Sequence, residues 1–260
     1  MKRALVLFPV LLLAATLSIR AEDKPAPAPA PLCLTYKAGD KTTLEGMFYA
    51  PLNPGAPGIL CIHALGRDPS VWEPLARRLQ ADGYAVFAMA LRGHPELNRT
   101  GQRKSPWVGF EIGQFKAMAP DVDAALACLA SQREVDGKRL GVVGEEFGAN
   151  VALAGGGREA VRTAVLLTAR LDARGIAGPA SLATFGERPC LAIASADDEQ
   201  GAAALEALKG AAKGRFEPVL VETDKSATDF GAAMLSDADK KGLMDRVAAW
   251  LKETLPPSAP

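Results

Sequence analysis

Hydrophobic and polar positions along the chain predict strands that alternate with helices over most of its length. Two short runs of alternating character, 34–36 and 44–49, predict a pair of strands joined by a turn at residues 39–40. Longer, mostly apolar runs are typical of strands buried on both faces of a sheet. They predict six further strands at 58–63, 84–89, 139–143, 161–167, 191–194 and 216–222.

Helices are predicted between these strands, where apolar residues recur every three or four positions. The first begins at Ser70 as its N-cap and ends at Asp82 and Gly83. Others are predicted at 114–131, 146–155, 199–208 and 237–255. The alternation predicts an α/β fold, with one mostly parallel, doubly wound sheet in a single domain. Two irregular stretches remain, 92–113 and 172–189, and the second lies where a lid could sit.

The two ends of the chain depart from this pattern. Lys2 and Arg3 precede an apolar stretch at 4–17, and Ala21 follows it. This arrangement predicts a secretory signal peptide, residues 1–21, and a periplasmic or secreted protein. An uncleaved anchor is disfavoured because the stretch is shorter than the roughly 20 residues of a membrane span. We expect no membrane span in the mature chain, which would comprise a Pro- and Ala-rich linker (22–32), the domain (33–255) and a disordered tail (256–260).

Composition narrows the functional classes. The formal net charge is +0 and no run of like charge occurs, so no nucleic-acid partner is expected. The four cysteines at 33, 61, 128 and 190 lack the spacing of metal ligands, and neither a metal nor a cofactor is predicted. Because three of them lie in apolar runs, buried free thiols are favoured over the disulfides that an exported protein would permit.

The stretch GEEFGAN, residues 144–150, carries the candidate chemistry. It lies between an apolar strand and an apolar helix, the setting of the G-x-S-x-G turn that presents a nucleophilic serine. Gly144 and Gly148 match that pattern. Glu146 stands where the serine belongs.

Several blocks in order resemble α/β-hydrolases of the bacterial esterase and dienelactone-hydrolase-like kind, from about Leu34 to Leu251. Besides the turn and the first helix (68–79, with Trp72), they are LCIHALG (60–66), LRGH (91–94), the segment 188–198 and TDFGAAML (228–235). The first is similar to the loop that shapes the oxyanion hole, and the last two to the segments that bring the catalytic acid and histidine. The resemblance implies the α/β-hydrolase fold and acyl transfer by a serine, a histidine and an acid.

Two of the three catalytic positions implied by this resemblance hold other residues. Glu146 takes the place of the nucleophile, and Phe230 that of the histidine. Asp198 remains as the candidate acid. The chain has two histidines, His63 and His94, and both precede the turn, so a shift of alignment near Phe230 recovers no third one.

Three roles of Glu146 follow. A carboxylate nucleophile would need a histidine to activate the water that releases the covalent intermediate. A general base would pair with His63 or His94 and activate water directly. A non-catalytic carboxylate would lie at a helix N-terminus, where an anion is stabilised, and would pair with Arg92 or His63. Among the weaker candidates, Asp197 is a rival for the acid, and Ser181 and Ser226 are serines that lack such a turn.

The non-catalytic role is favoured because a carboxylate at this position repels the oxyanion that ester hydrolysis must create. We therefore expect a degenerate esterase homologue that binds a small molecule beside the turn. The alternative is a serine-independent hydrolase of small esters in which Glu146 acts with a histidine, His63 first. The residues expected to line the pocket are Leu65, Gly66, Arg92, His94, Trp107, Glu145 and Phe147.

Overall fold

The computed structural model of the chain describes residues 28–94, 106–222, 231–235 and 242–257. The expected signal peptide, the first part of the linker, Phe230 and Ser226 lie outside these residues. The start of the predicted last helix and residues 258–260 of the tail also lie outside them. The expectations for these segments stay predictions.

One large sheet forms the centre of the fold. Its strands are β1 (Leu32–Lys37), β2 (Thr43–Tyr49), β3 (Ala56–Ile62), β4 (Ala85–Met89), β5 (Val135–Glu145), β6 (Val161–Leu167), β9 (Cys190–Ser195) and β10 (Phe216–Val221). They lie in the order β1-β2-β4-β3-β5-β6-β9-β10. The β1–β2 and β2–β4 pairs are antiparallel and the rest are parallel, which confirms the mostly parallel sheet. A separate hairpin joins β7 (Asp172–Ala173) to β8 (Ile176–Ala177).

Helices cover both faces of this sheet. They are α1 (Glu73–Ala81), α2 (Ile112–Lys116), α3 (Met118–Ala130), α4 (Phe147–Gly155), α5 (Gly178–Phe185), α6 (Glu199–Ala211) and α7 (Leu243–Thr254). One core packs α2 to α6 against the sheet, and the other packs α1 and α7 against the opposite face. Every residue of β3 and β4 is buried, as expected for strands covered on both sides.

The structure corrects three of the sequence predictions. Asp68, not Ser70, caps the first helical turn, because its side chain accepts from the Ser70 N–H. The helix predicted at 114–131 is divided at Ala117, because Pro120 has no N–H to donate to the Lys116 carbonyl one turn earlier. The stretch 172–189 is not irregular, because it forms the β7–β8 hairpin and α5, whose Leu182 is buried.

Two further expectations concern the core. None of the four cysteines forms a disulfide, as expected; Cys61 and Cys190 are buried, whereas Cys33 and Cys128 are half-buried. Trp72 and Trp250 are buried in the core, as predicted from their helical faces.

Leu32, assigned to the linker, begins β1, so the domain starts one residue earlier than expected. Within the described ranges, no helix has both the length and the apolar character that a membrane crossing requires.

Candidate functional site

Glu146 lies in a sharp turn between β5 and α4, as the sequence predicts. Its φ of 50° and ψ of −116° are strained for a residue with a side chain. Both neighbouring glycines are required. A Cβ on Gly144 would lie 2.4 Å from the Gly148 carbonyl oxygen, and one on Gly148 would lie 2.4 Å from that of Ile62. The backbone therefore has the geometry of a nucleophile elbow with a glutamate at its tip.

The Glu146 carboxylate faces Arg170. Its Oε1 lies 3.9 Å from Nη2 of Arg170, and 42% of the glutamate side chain is exposed. The expected pairing with Arg92 is wrong. Arg92 donates two hydrogen bonds of 2.6 Å to Asp121 and one of 2.8 Å to Asp40.

Asp198 is engaged by the same arginine. Nη1 of Arg170 donates to both carboxylate oxygens of Asp198, at 2.7 and 2.6 Å. Asp198 also caps α6 by accepting from the Gly201 N–H at 3.1 Å. The Asp198 carboxylate therefore binds the Arg170 guanidinium and caps α6, and both of its oxygens already accept hydrogen bonds. Its rival Asp197 donates its backbone N–H to the Ser195 hydroxyl.

His63 is fully buried, and its two ring nitrogens are held by the main chain. The Leu91 N–H donates to Nε2 at 3.1 Å, so the ring proton resides on Nδ1 and is donated to the Ala64 carbonyl at 2.8 Å. Burial lowers the pKa of His63 to about 3. The imidazole is therefore neutral, and neither nitrogen can serve as a catalytic base.

His94 is held in the same way. The Gly66 N–H donates to Nε2 at 3.0 Å, and Nδ1 faces the Arg92 carbonyl at 3.2 Å. Its ring stacks on Trp107 with centroids 5.3 Å apart, and burial lowers its pKa. The structure therefore does not form the expected pair of Glu146 with a histidine.

Glu145 has a role that the sequence did not indicate. It is buried, Oε1 accepts from the Ala64 N–H at 3.0 Å, and Oε2 accepts from the Ala232 N–H. Gly231 packs so closely that a Cβ there would lie 2.3 Å from Oε2. Burial raises the pKa of this carboxyl group, against the effect of the two N–H donors. Glu145 therefore fastens the segment 231–235 to the loop after β3.

A cavity of about 220 Å³ opens beside Glu146. Of the seven expected lining residues, Leu65 and Glu145 are among those that line it. Gly66, Arg92, His94, Trp107 and Phe147 are not. The lining residues that sequence reasoning missed are Ala64, Arg67, Thr168, Arg170 and Gly231.

Thr168 and Arg170 directly follow β6, and that position is the signal that could have revealed them. Ligands bind at the carboxyl ends of parallel strands, and β6 is the neighbour of β5. Thr168 has a φ of 49°, is completely buried, and its hydroxyl has no hydrogen-bond partner in the described part of the chain. A β-branched residue in this conformation is a genuine outlier.

The comparisons with known proteins agree with this geometry at the level of the fold. The chain is similar in structure to a dienelactone hydrolase from Anabaena variabilis, with a TM-score of 0.64 and 18% identity over 87% of this chain and 97% of that one. An esterase from Pyrococcus furiosus matches with a TM-score of 0.66 and 16% identity, over 87% and 91% of the two chains.

An acetyl xylan esterase from Thermoanaerobacterium sp. matches with a TM-score of 0.65 and 13% identity, over 86% of this chain and 83% of that one. At these identities the likeness shows the fold alone. No curated protein sequence matches the chain. The model of the alpha/beta hydrolase family matches residues 59–259. The chain therefore belongs to the α/β-hydrolase family.

Proposed function

We propose that this chain is a non-hydrolytic member of its family, which binds a small polar ligand in the cavity beside Glu146. One observation carries the proposal. The chain has two histidines, and the main chain engages both ring nitrogens of each. Acyl transfer of the serine–histidine type needs an imidazole that accepts and returns a proton at the reacting atoms. Neither histidine is free to do so.

The charges around the turn support the same proposal. A carboxylate at the nucleophile position lies beside the site where an ester's oxyanion would develop, and like charges there oppose that step. The acid that would orient a histidine is instead bound to Arg170. Glu145, the residue before Glu146, adds a second carboxyl group to the cavity wall.

The half-exposed Glu146 side chain favours one alternative, a hydrolase in which this carboxylate activates water unaided. A carboxylate that acts without a partner is a weak base near neutral pH, and none of the described contacts supplies the second group that would protonate a leaving alkoxide. The binding function therefore fits the site better.

Hydrolysis of a short-chain nitrophenyl ester by the purified protein tests the proposal. We expect the wild type to show no turnover above the buffer blank, and Glu146→Gln to behave in the same way. Glu159→Gln, which changes an exposed glutamate outside the cavity, is the matched control. Wild-type turnover that disappears in Glu146→Gln but survives in Glu159→Gln would make Glu146 catalytic and overturn the proposal. Turnover retained by all three would also overturn it and place the active site elsewhere.

A further inference from the structure

Groups of both charges line the cavity beside Glu146. Arg67 and Arg170 contribute two guanidinium groups, and Glu146 contributes a half-exposed carboxylate. Glu145 is already satisfied, because each of its oxygens accepts a main-chain N–H. The charged groups left to meet a ligand are therefore one carboxylate and two guanidinium groups.

Glu146 and Arg170 lie close together without forming a hydrogen bond. The 3.9 Å between Oε1 and Nη2 exceeds the roughly 3.2 Å limit of an N–H···O bond. Asp198 holds the guanidinium through Nη1 alone. Among the described residues, no side chain donates a hydrogen bond to the Glu146 carboxylate, and Arg170 is the basic residue that lies within 4.0 Å of it. The carboxylate thus keeps capacity to accept, and Nη2 keeps capacity to donate.

Thr168 adds a neutral polar group to the same wall. It is fully buried, yet its hydroxyl lacks a partner among the described residues. Buried polar groups almost always have a hydrogen-bond partner, so the Thr168 hydroxyl is an unsatisfied donor and acceptor in the wall of this cavity. The strained backbone at Thr168 and Glu146 is also typical of binding sites, where such strain concentrates.

We propose that this cavity binds a small zwitterion, an α-amino carboxylate of about the size of alanine. Its ammonium group would donate to Glu146, and its carboxylate would accept from Arg67 and from Nη2 of Arg170. This inference rests on the proposed binding function and names the ligand class. The volume of 220 Å³ is below the range of about 300–1,000 Å³ typical of drug-sized ligands, which favours a molecule of few atoms.

A ligand that carries only the ammonium group or only the carboxylate matches the cavity less well than the zwitterion does. A simple amine would satisfy Glu146 but would give no acceptor to Arg67 or to Nη2 of Arg170, whose Nη1 is already bound to Asp198. A simple carboxylate would bind the arginines beside the unpaired Glu146 charge. A zwitterion satisfies both and adds no net charge to the site. Charge-assisted hydrogen bonds are roughly twice as strong as neutral ones, so a neutral amide should also bind more weakly.

Isothermal titration calorimetry of the purified protein tests this, with L-alanine, ethylamine, propionate and propanamide as probes. We expect L-alanine to bind at least about tenfold more tightly than each of the other three. Absence of L-alanine binding to the folded protein would overturn the inference. Equal or tighter binding of ethylamine, propionate or propanamide would overturn it as well.

Matched variants identify the site. Glu146→Gln and Arg67→Gln should each weaken L-alanine binding by about tenfold or more, because each removes one charge-assisted contact. Glu159→Gln and Arg162→Gln change exposed charges outside the cavity and should bind as the wild type does. Unchanged affinity in Glu146→Gln would contradict the assignment.

The ester assay separates the two proposals. Ester turnover would overturn the binding function, whatever the calorimetry shows. If the protein does not hydrolyse the ester and binds ethylamine or propanamide at Glu146 but not L-alanine, the proposed binding function stands. Only the proposal of a zwitterionic ligand then fails.

Discussion

Glu146 adopts a backbone conformation that glycine would hold without strain. Its φ is 50° and its ψ is −116°, and such outliers cost of order 1–3 kcal/mol each. The ion pair with Arg170 is long and the Glu146 side chain is half-exposed, so the pair offsets little of this strain. The turn itself persists because Gly144 and Gly148 pack against backbone atoms. The strain is therefore retained at the residue that we place in the binding site.

The variant Glu146→Gly should be more stable than the wild type by about 0.5–1 kcal/mol. Relief of the strained φ outweighs the greater conformational entropy of glycine in the unfolded chain. Urea unfolding followed by circular dichroism measures the difference. Glu159→Gly is the control; its φ is not positive, so it should lose stability. Equal losses of stability in both variants would show that Glu146 is not strained.

At the scale of elements, a single amide holds the segment after β6 in place. Asn150 in α4 is fully buried. Its Nδ2 donates to the carbonyls of Arg170 and Ile176 at 2.9 and 2.8 Å, and its Oδ1 accepts from the Arg170 N–H at 3.0 Å. The side chain thereby joins α4 to β8 and positions the arginine that faces Glu146.

The variant Asn150→Ala should lower the free energy of unfolding by about 3 kcal/mol, because it leaves three main-chain groups without their partner. Urea denaturation measures this loss. The matched control is Gln132→Ala, whose half-buried amide bonds to the Cys128 carbonyl and the adjacent Ser131 hydroxyl. It should cost about 1 kcal/mol or less. A loss in Asn150→Ala no larger than in the control would contradict this role.

The strands and helices of the parallel half of the sheet were predictable from the sequence. Apolar runs such as 84–89 indicate burial directly, since a strand covered on both faces has no polar side. Boundaries that depend on one side-chain hydrogen bond were not predictable. The cap at Asp68 and the division of the helix at Ala117 arise from local geometry that several neighbouring residues could supply.

At the scale of the whole molecule, the turn at 144–150 was predictable because its glycines and its residue types are contiguous in sequence. The charge network around it was not. Arg170 and Asp198 are 28 residues apart and meet because β6 and β9 are neighbours in the sheet. The residues around each of these two positions do not indicate that the two strands are neighbours. Assigning Arg92 to Glu146 failed for the same reason, since Asp121 and Asp40 already hold Arg92.

The proposed binding function requires that neither His63 nor His94 be available for acid–base chemistry. ¹⁵N nuclear magnetic resonance of the two histidine side chains, followed from pH 8 to pH 5, tests it most directly. We expect two neutral rings at pH 8, each with its proton on Nδ1 and with Nε2 as the acceptor. His63 should remain neutral throughout, because burial lowers its pKa to about 3. A His63 ring that titrates near its ordinary pKa of about 6.5, or that carries its proton on Nε2, would contradict the account.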